Sequence, residues 1–145
     1  VGSSARGPAA AAALHAVAGL PPLRGRVVWH GELDADALAL RLATADVFVL
    51  PSLHEGYGMA AAEALAHGLP IVSTTAGALA DTVPDDAALK VAPGAVAPLR
   101  DALSQLIDDP ALRARLAAGA RAAGRRLPDW AAQSARFAAV LEGVG

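Results

Sequence analysis

Cysteine does not occur in the chain, which excludes a disulfide framework and thiolate metal sites and leaves the redox compartment open. No apolar run reaches the roughly 20 residues needed to span a bilayer, and no basic stretch followed by an apolar signal core opens the sequence. The expectation is a cytoplasmic domain without a transmembrane segment, with peripheral membrane contact of a longer protein left open. A formal net charge of −2 supplies no attraction for nucleic acid, so none is expected as a partner. His30, His54 and His67 stand at spacings that form no metal site and read as ordinary polar or packing histidines, so no metal is expected. Gly2 and Gly7 miss the Gly-x-Gly-x-x-Gly spacing of a dinucleotide fingerprint, and no lysine follows as a phosphate-binding loop requires. A receiver-like acidic pocket is disfavoured as well, because His30 and Leu50 stand at strand ends where carboxylates would be needed.

What is present describes one ordered domain: 145 residues, 54% apolar and 18% charged, enough to bury a core. The reading is a single domain over 1–145 whose first strand is truncated, since the opening through Gly7 looks like the tail of a strand and a loop. Alanine-rich sequence over 8–18 predicts a helix ended by Gly19, Pro21 and Pro22. The β-branched and aromatic run 26–30 predicts a strand stopped by Gly31. A helix over 34–45, with Leu38 and Leu42 at helical spacing, leads into an apolar strand over 46–50. Helix 58–67, strand 71–73, a short helix 79–83 and a weak strand 88–91 continue the alternation. That order implies a parallel sheet wrapped by helices, a Rossmann-like three-layer α/β/α sandwich. Helices alone follow: one with Leu99, Leu103 and Leu106 on a face, one capped by Asp109 with Pro110 in its first turn, and a last one within 128–145 carrying Trp130 and Phe137. The stretch 117–126 is biased toward Ala and Arg.

Ligands of an open parallel sheet bind beyond the carboxyl ends of the strands, where loops meet the positive ends of helices. The loop 51–59 carries most information. Gly56 and Gly58 let backbone approach a ligand, and the helix beginning near Gly58 offers unpaired N–H groups suited to a phosphate. That helix is apolar except at Glu63, so it reads as buried, with Glu63 paired or hydrogen-bonded. The alternative is a solvent-facing carboxylate.

Glu55, seven intervening residues and Glu63, with Gly56 and Gly58 between them, resemble the paired-glutamate signature of family 4, or group 1, retaining glycosyltransferases. The flanks 44–52 and 63–72, Val28-Trp29-His30-Gly31, Gly77 with Asp81, Ala92-Pro93-Gly94 and Trp130 fit the same pattern in order. The resemblance implies the C-terminal half of a GT-B fold that binds a nucleotide sugar, with Glu63 on the ribose diol and Glu55 on hydroxyls of the donor sugar, the catalytic candidate. Backbone N–H groups of Gly56, Tyr57, Gly58 and Met59 would meet sugar and diphosphate, and Gly31, Glu32 and Leu33 would meet the base through backbone atoms. No cofactor is implied beyond the donor. An acceptor-binding N-terminal domain is the implied partner, the helix within 128–145 packing toward it, and the basic pair that neutralises the diphosphate is placed upstream of Val1. The family's usual glycine and proline after Gly77 are Ala78 and Ala80 here. The fragment is expected to transfer no sugar alone. A non-transferring relative such as an epimerase, or a nucleotide-binding module without catalysis, is the alternative.

Overall fold

Apolar runs bounded by glycine and proline become the strands of a parallel sheet. The structure, a computed structural model, describes residues 7–127, and the chain divides between Ala43 and Thr44 into two units. The expected first strand through residue 6 and the expected last helix within 128–145 lie outside the described residues.

In the first unit, α1 (Pro8–Ala18) starts with proline in its first turn, where the missing N–H is no loss, and continues in alanine, the best helix former. α2 (Ala35–Ala43) is capped by Asp34, whose Oδ1 accepts a bond from the Ala37 amide at 2.8 Å. Asp36 in its first turn and Arg41 in its last complement the helix dipole, and Leu42 is buried. The strand expected over 26–30 is not formed. Val27, Val28 and Trp29 are exposed, and the Trp29 ring lies tilted on His15 with centroids 4.1 Å apart. A β-branched run becomes a strand only where a neighbour accepts its backbone hydrogen bonds, and 26–30 belongs to no sheet among the described residues.

The second unit holds the sheet, ordered β1 (Phe48–Leu50), β2 (Ile71–Thr74), β3 (Ala88–Val91) and parallel throughout. Phe48 lies opposite Ile71, and Ile71 opposite Ala88. All four residues of β2 are buried; successive side chains point to opposite faces, so both faces of the sheet are covered at β2, while Val49 of β1 is exposed. α3 (Met59–Ala66) links β1 to β2, and α4 (Leu79–Thr82) links β2 to β3. Right-handed crossovers put these two helices on one face. α5 (Val96–Asp108) contacts β2 and β3, and its Ala102 and Leu106 join Val72 and Leu116 in a buried cluster edged by Leu99, Leu103 and Leu112. Leu65, Ile71, Leu79 and Leu106 are fully buried, each worth roughly 1.5–3 kcal/mol of transfer free energy.

α6 (Pro110–Gly124) is capped as its sequence implies: Asp109 Oδ1 accepts the Leu112 amide at 2.9 Å, and Pro110 opens the first turn. The Ala and Arg bias of 117–126 follows from packing. A side chain at Gly119 would collide with the Asp86 carbonyl, and one at Gly124 with the Leu65 carbonyl. Small residues let α6 lie against backbone there, while Arg115 and Arg121 of the helix, and Arg125 and Arg126 just after it, are exposed.

Candidate functional site

Because β1 and β2 run parallel and pair Leu50 with Ser73, the loops leaving them, 51–58 and 75–78, emerge side by side. Hydrogen bonds join them and α4. Thr74 Oγ1 donates to the Ser52 carbonyl at 2.6 Å, the Ala78 amide to the Glu55 carbonyl at 3.1 Å, and Thr82 Oγ1 to the Tyr57 carbonyl at 3.1 Å. Gly77 has φ +53°, and any Cβ there would run into the Glu55 carbonyl oxygen. Glycine is required at that point both by the left-handed backbone and by the closeness of the other loop.

Glu55 is half-buried, and each of its carboxylate oxygens is bonded within its own loop. Oε1 accepts the Gly58 amide at 3.2 Å, and Oε2 accepts the Ser52 hydroxyl at 3.3 Å. Gly58, at φ 84° and ψ 35°, is the residue from which α3 departs, and Leu79 Cδ2 closes the space beside it at 3.1 Å from where a Cβ would stand. The Ala62 amide makes the first bond of the helix, to the Gly58 carbonyl at 2.9 Å. The amides of Met59, Ala60 and Ala61 therefore have no intrahelical acceptor and mark the positive end of the helix dipole.

The sequence expectation for Glu63 is corrected by the structure. α3 is not buried all round: Ala61, Ala64 and Leu65 face the core, while Met59, Ala60, Glu63, Ala66 and His67 form one exposed face. The Glu63 side chain makes no hydrogen bond or ion pair with the described residues; its charge is tolerated because water reaches it. Leu53, Tyr57 and Met59, in the loop before α3 and at its start, are exposed, as are His54 and Gly56.

Glu55, Gly56, Tyr57, Gly58, Met59 and Glu63 are thus brought together on one loop and the helix it feeds. Gly31, at φ +62°, exposed Glu32 and half-buried Leu33 belong to the first unit. The sequence reading missed Ser52, Thr74 and Thr82, which hold the loop. For Ser52 a local signal existed: Ser52 and Glu55 stand three residues apart in one loop, close enough for hydroxyl and carboxylate to bond. Among the described residues no group of His, Asp and Glu could hold a metal ion.

An open helix amino end, a carboxylate fixed across it and a second carboxylate free in solvent about one helical turn further on form a surface for a ligand carrying both an anion and hydroxyls. Comparison with known proteins gives the family. The family model for glycosyl transferases of group 1 matches residues 1–109. The chain belongs to the group 1 glycosyltransferases. It is similar to the D-inositol 3-phosphate glycosyltransferase of Xylanimonas cellulosilytica, 42% identical over 127 residues that make up 86% of this chain and 30% of that protein. Among solved structures, the sucrose-phosphate synthase of Thermosynechococcus elongatus superposes with a TM-score of 0.82 at 28% identity, over 94% of this chain and 35% of that one. Anabaena HepE in complex with UDP superposes at 0.78 and 26% identity, over 92% and 36%. The chain therefore spans about a third of the length of these relatives. The Rossmann-like α/β reading agrees with these neighbours, which are GT-B glycosyltransferases. In this group 1 glycosyltransferase chain, no described helix is long and apolar enough to cross a membrane.

Proposed function

We propose that loop 51–58 and α3 bind the nucleoside diphosphate part of a sugar donor, and that the protein containing this chain transfers the sugar to a hydroxyl acceptor with retention of anomeric configuration. The observation that carries the reading is the open amino end of α3 lying between the bonded Glu55 and the exposed Glu63. The first amides of α3 suit a diphosphate, whose charge grows as it leaves, and the helix dipole favours that change. Glu63 accepts from the two ribose hydroxyls. Glu55 already accepts two bonds, yet each carboxylate oxygen keeps a second acceptor position for a donor-sugar hydroxyl. The family membership and the UDP held by the HepE neighbour support a nucleoside diphosphate as ligand. The assignment of Gly31, Glu32 and Leu33 to the base rests on the family resemblance. No cofactor besides the donor has a role in this scheme.

Titration of the chain with UDP, GDP and ADP, followed by amide signals of residues 56–63, tests it. Shifts in this segment at up to millimolar nucleotide are expected. No shift with any of the three, or a clear preference for NAD, overturns it.

A further inference from the structure

Lys90 is the only lysine in the sequence, and its ammonium is not left in solvent. It stands on β3 opposite Ser73 of β2, with a side chain only 15% exposed. Nζ donates to the carbonyls of Ala80 and Val83, both at 3.0 Å, and pairs with Asp85 Oδ1 at 2.6 Å. Three partners match the three hydrogens of an ammonium. The first two lie in and just beyond α4, a single turn of helix too short to hold its own shape. Its last carbonyls have no acceptor role within the helix, and a cation there satisfies them and suits the dipole.

α4 touches the candidate site at three points. The Ala78 amide before it holds the Glu55 carbonyl, Thr82 in its last position holds the Tyr57 carbonyl, and Leu79 fills the space beside Gly58. These points bracket Gly56, itself exposed and with nothing within 4 Å of where a Cβ would be. The course of backbone 55–58 is therefore set from behind by α4, and the end of α4 is set by Lys90. The ion pair with Asp85 is the lesser part, because Asp85 is 90% exposed and exposed pairs contribute little.

We propose that Lys90 is a positioning residue for the donor site, bracing α4 so that α4 holds the backbone of 55–58 in ligand-binding geometry. The proposal rests on the donor-site reading above. Lys90→Met removes the ammonium and keeps most of the stem, Lys90→Arg restores a cation that reaches two carbonyls, and Thr82→Val cuts the link to Tyr57 without touching Lys90. UDP and GDP affinities are measured well below each variant's melting temperature, with amide exchange of Gly56, Tyr57 and Gly58 in the nucleotide-free chain. Lys90→Met and Thr82→Val are expected to weaken binding about three- to tenfold, the equivalent of one ordinary hydrogen bond, and to speed exchange at those three amides. Lys90→Arg is expected to recover both readouts. Folded Lys90→Met that binds as the parent does, or Lys90→Arg that behaves like Lys90→Met, overturns the proposal. If Lys90→Met does not fold, Thr82→Val decides, and parent-like binding by it overturns the brace. A parent chain that binds no nucleotide sinks the donor-site reading instead, and the exchange readout, which needs no ligand, then judges the brace alone.

Discussion

The loop 51–58 and the outer face of α3 adjoin in sequence and are held in opposite ways. The loop is pinned by its own Glu55, by Thr74 and by α4. The face made by Met59, Ala60, Glu63, Ala66 and His67 meets solvent, and the Glu63 carboxylate has no partner among the described residues. The difference separates two kinds of binding residue. A carboxylate that organises its own loop serves fold and ligand together, so its loss reads out in both. A carboxylate left free in water stays hydrated until a ligand replaces that water, so its loss reads out in binding alone.

The largest effect is expected from breaking the pinned region at its tightest point. Gly77→Ala places a Cβ against the Glu55 carbonyl at a φ of +53°. Left-handed strain and overpacking together cost about 2–4 kcal/mol. Denaturant unfolding is expected to show a loss of that size, and nucleotide binding is expected to fall with it because loop 51–58 must move. Unchanged stability would mean the two loops are not packed as described.

Next in size is Glu63→Gln, which tests the free region. An amide cannot accept from both ribose hydroxyls as a carboxylate does, and loss of the charge-assisted bond costs roughly 1.5–3 kcal/mol, about ten- to a hundredfold in affinity. The loss is expected for nucleoside diphosphate and nucleotide sugar alike, with the melting temperature unchanged because the side chain is exposed. A fall in melting temperature without a fall in affinity would place Glu63 among the structural residues.

Glu55→Gln crosses the two categories and is expected to have a smaller effect. The amide oxygen can still accept from Gly58, and its NH₂ can donate to Ser52, so about 0.5–1.5 kcal/mol of stability is expected to go with the charge. Binding of UDP or GDP is expected to stay near the parent value, while the complete sugar donor binds more weakly and turnover of the full-length enzyme falls. Equal weakening of both ligands would reassign Glu55 from the sugar to the nucleotide.

The same contrast accounts for what the sequence discloses. Strands of a parallel sheet are continuous apolar runs, so the one ending at Leu50, although Val49 is exposed, and the buried one starting at Ile71 are legible. Helix ends are legible through Asp109, Pro110 and Gly58, whose side chains or lack of one act locally. The run 26–30 misleads because β-branching states what a segment fits, not whether a partner strand exists. α3 misleads because alanine counts as apolar yet is small enough to lie on either face, so Met-Ala-Ala-Ala-Glu-Ala-Leu-Ala has no visible outer side. The bonds from Thr74 and Thr82 span 22 and 25 residues; only the topology brings their ends together.

The smallest effect is expected at the edge of the pinned region, where an exposed charge meets a sheltered one. Asp85 lies 2.6 Å from Lys90 Nζ, the shortest of that ammonium's three contacts, but Asp85 is 90% exposed and Lys90 only 15%. Proximity alone would rank the pair first. Solvent reverses the ranking, since water screens and competes for the carboxylate, whereas the carbonyls of Ala80 and Val83 hold the ammonium in a part-sheltered position. Asp85→Asn is therefore expected to change stability by less than about 0.5 kcal/mol, to leave amide exchange at Gly56, Tyr57 and Gly58 as in the parent, and to leave UDP affinity within about twofold. Equilibrium unfolding at low and moderate salt gives the check: a loss above 1 kcal/mol that salt abolishes would show that the ion pair, not the carbonyls, anchors Lys90.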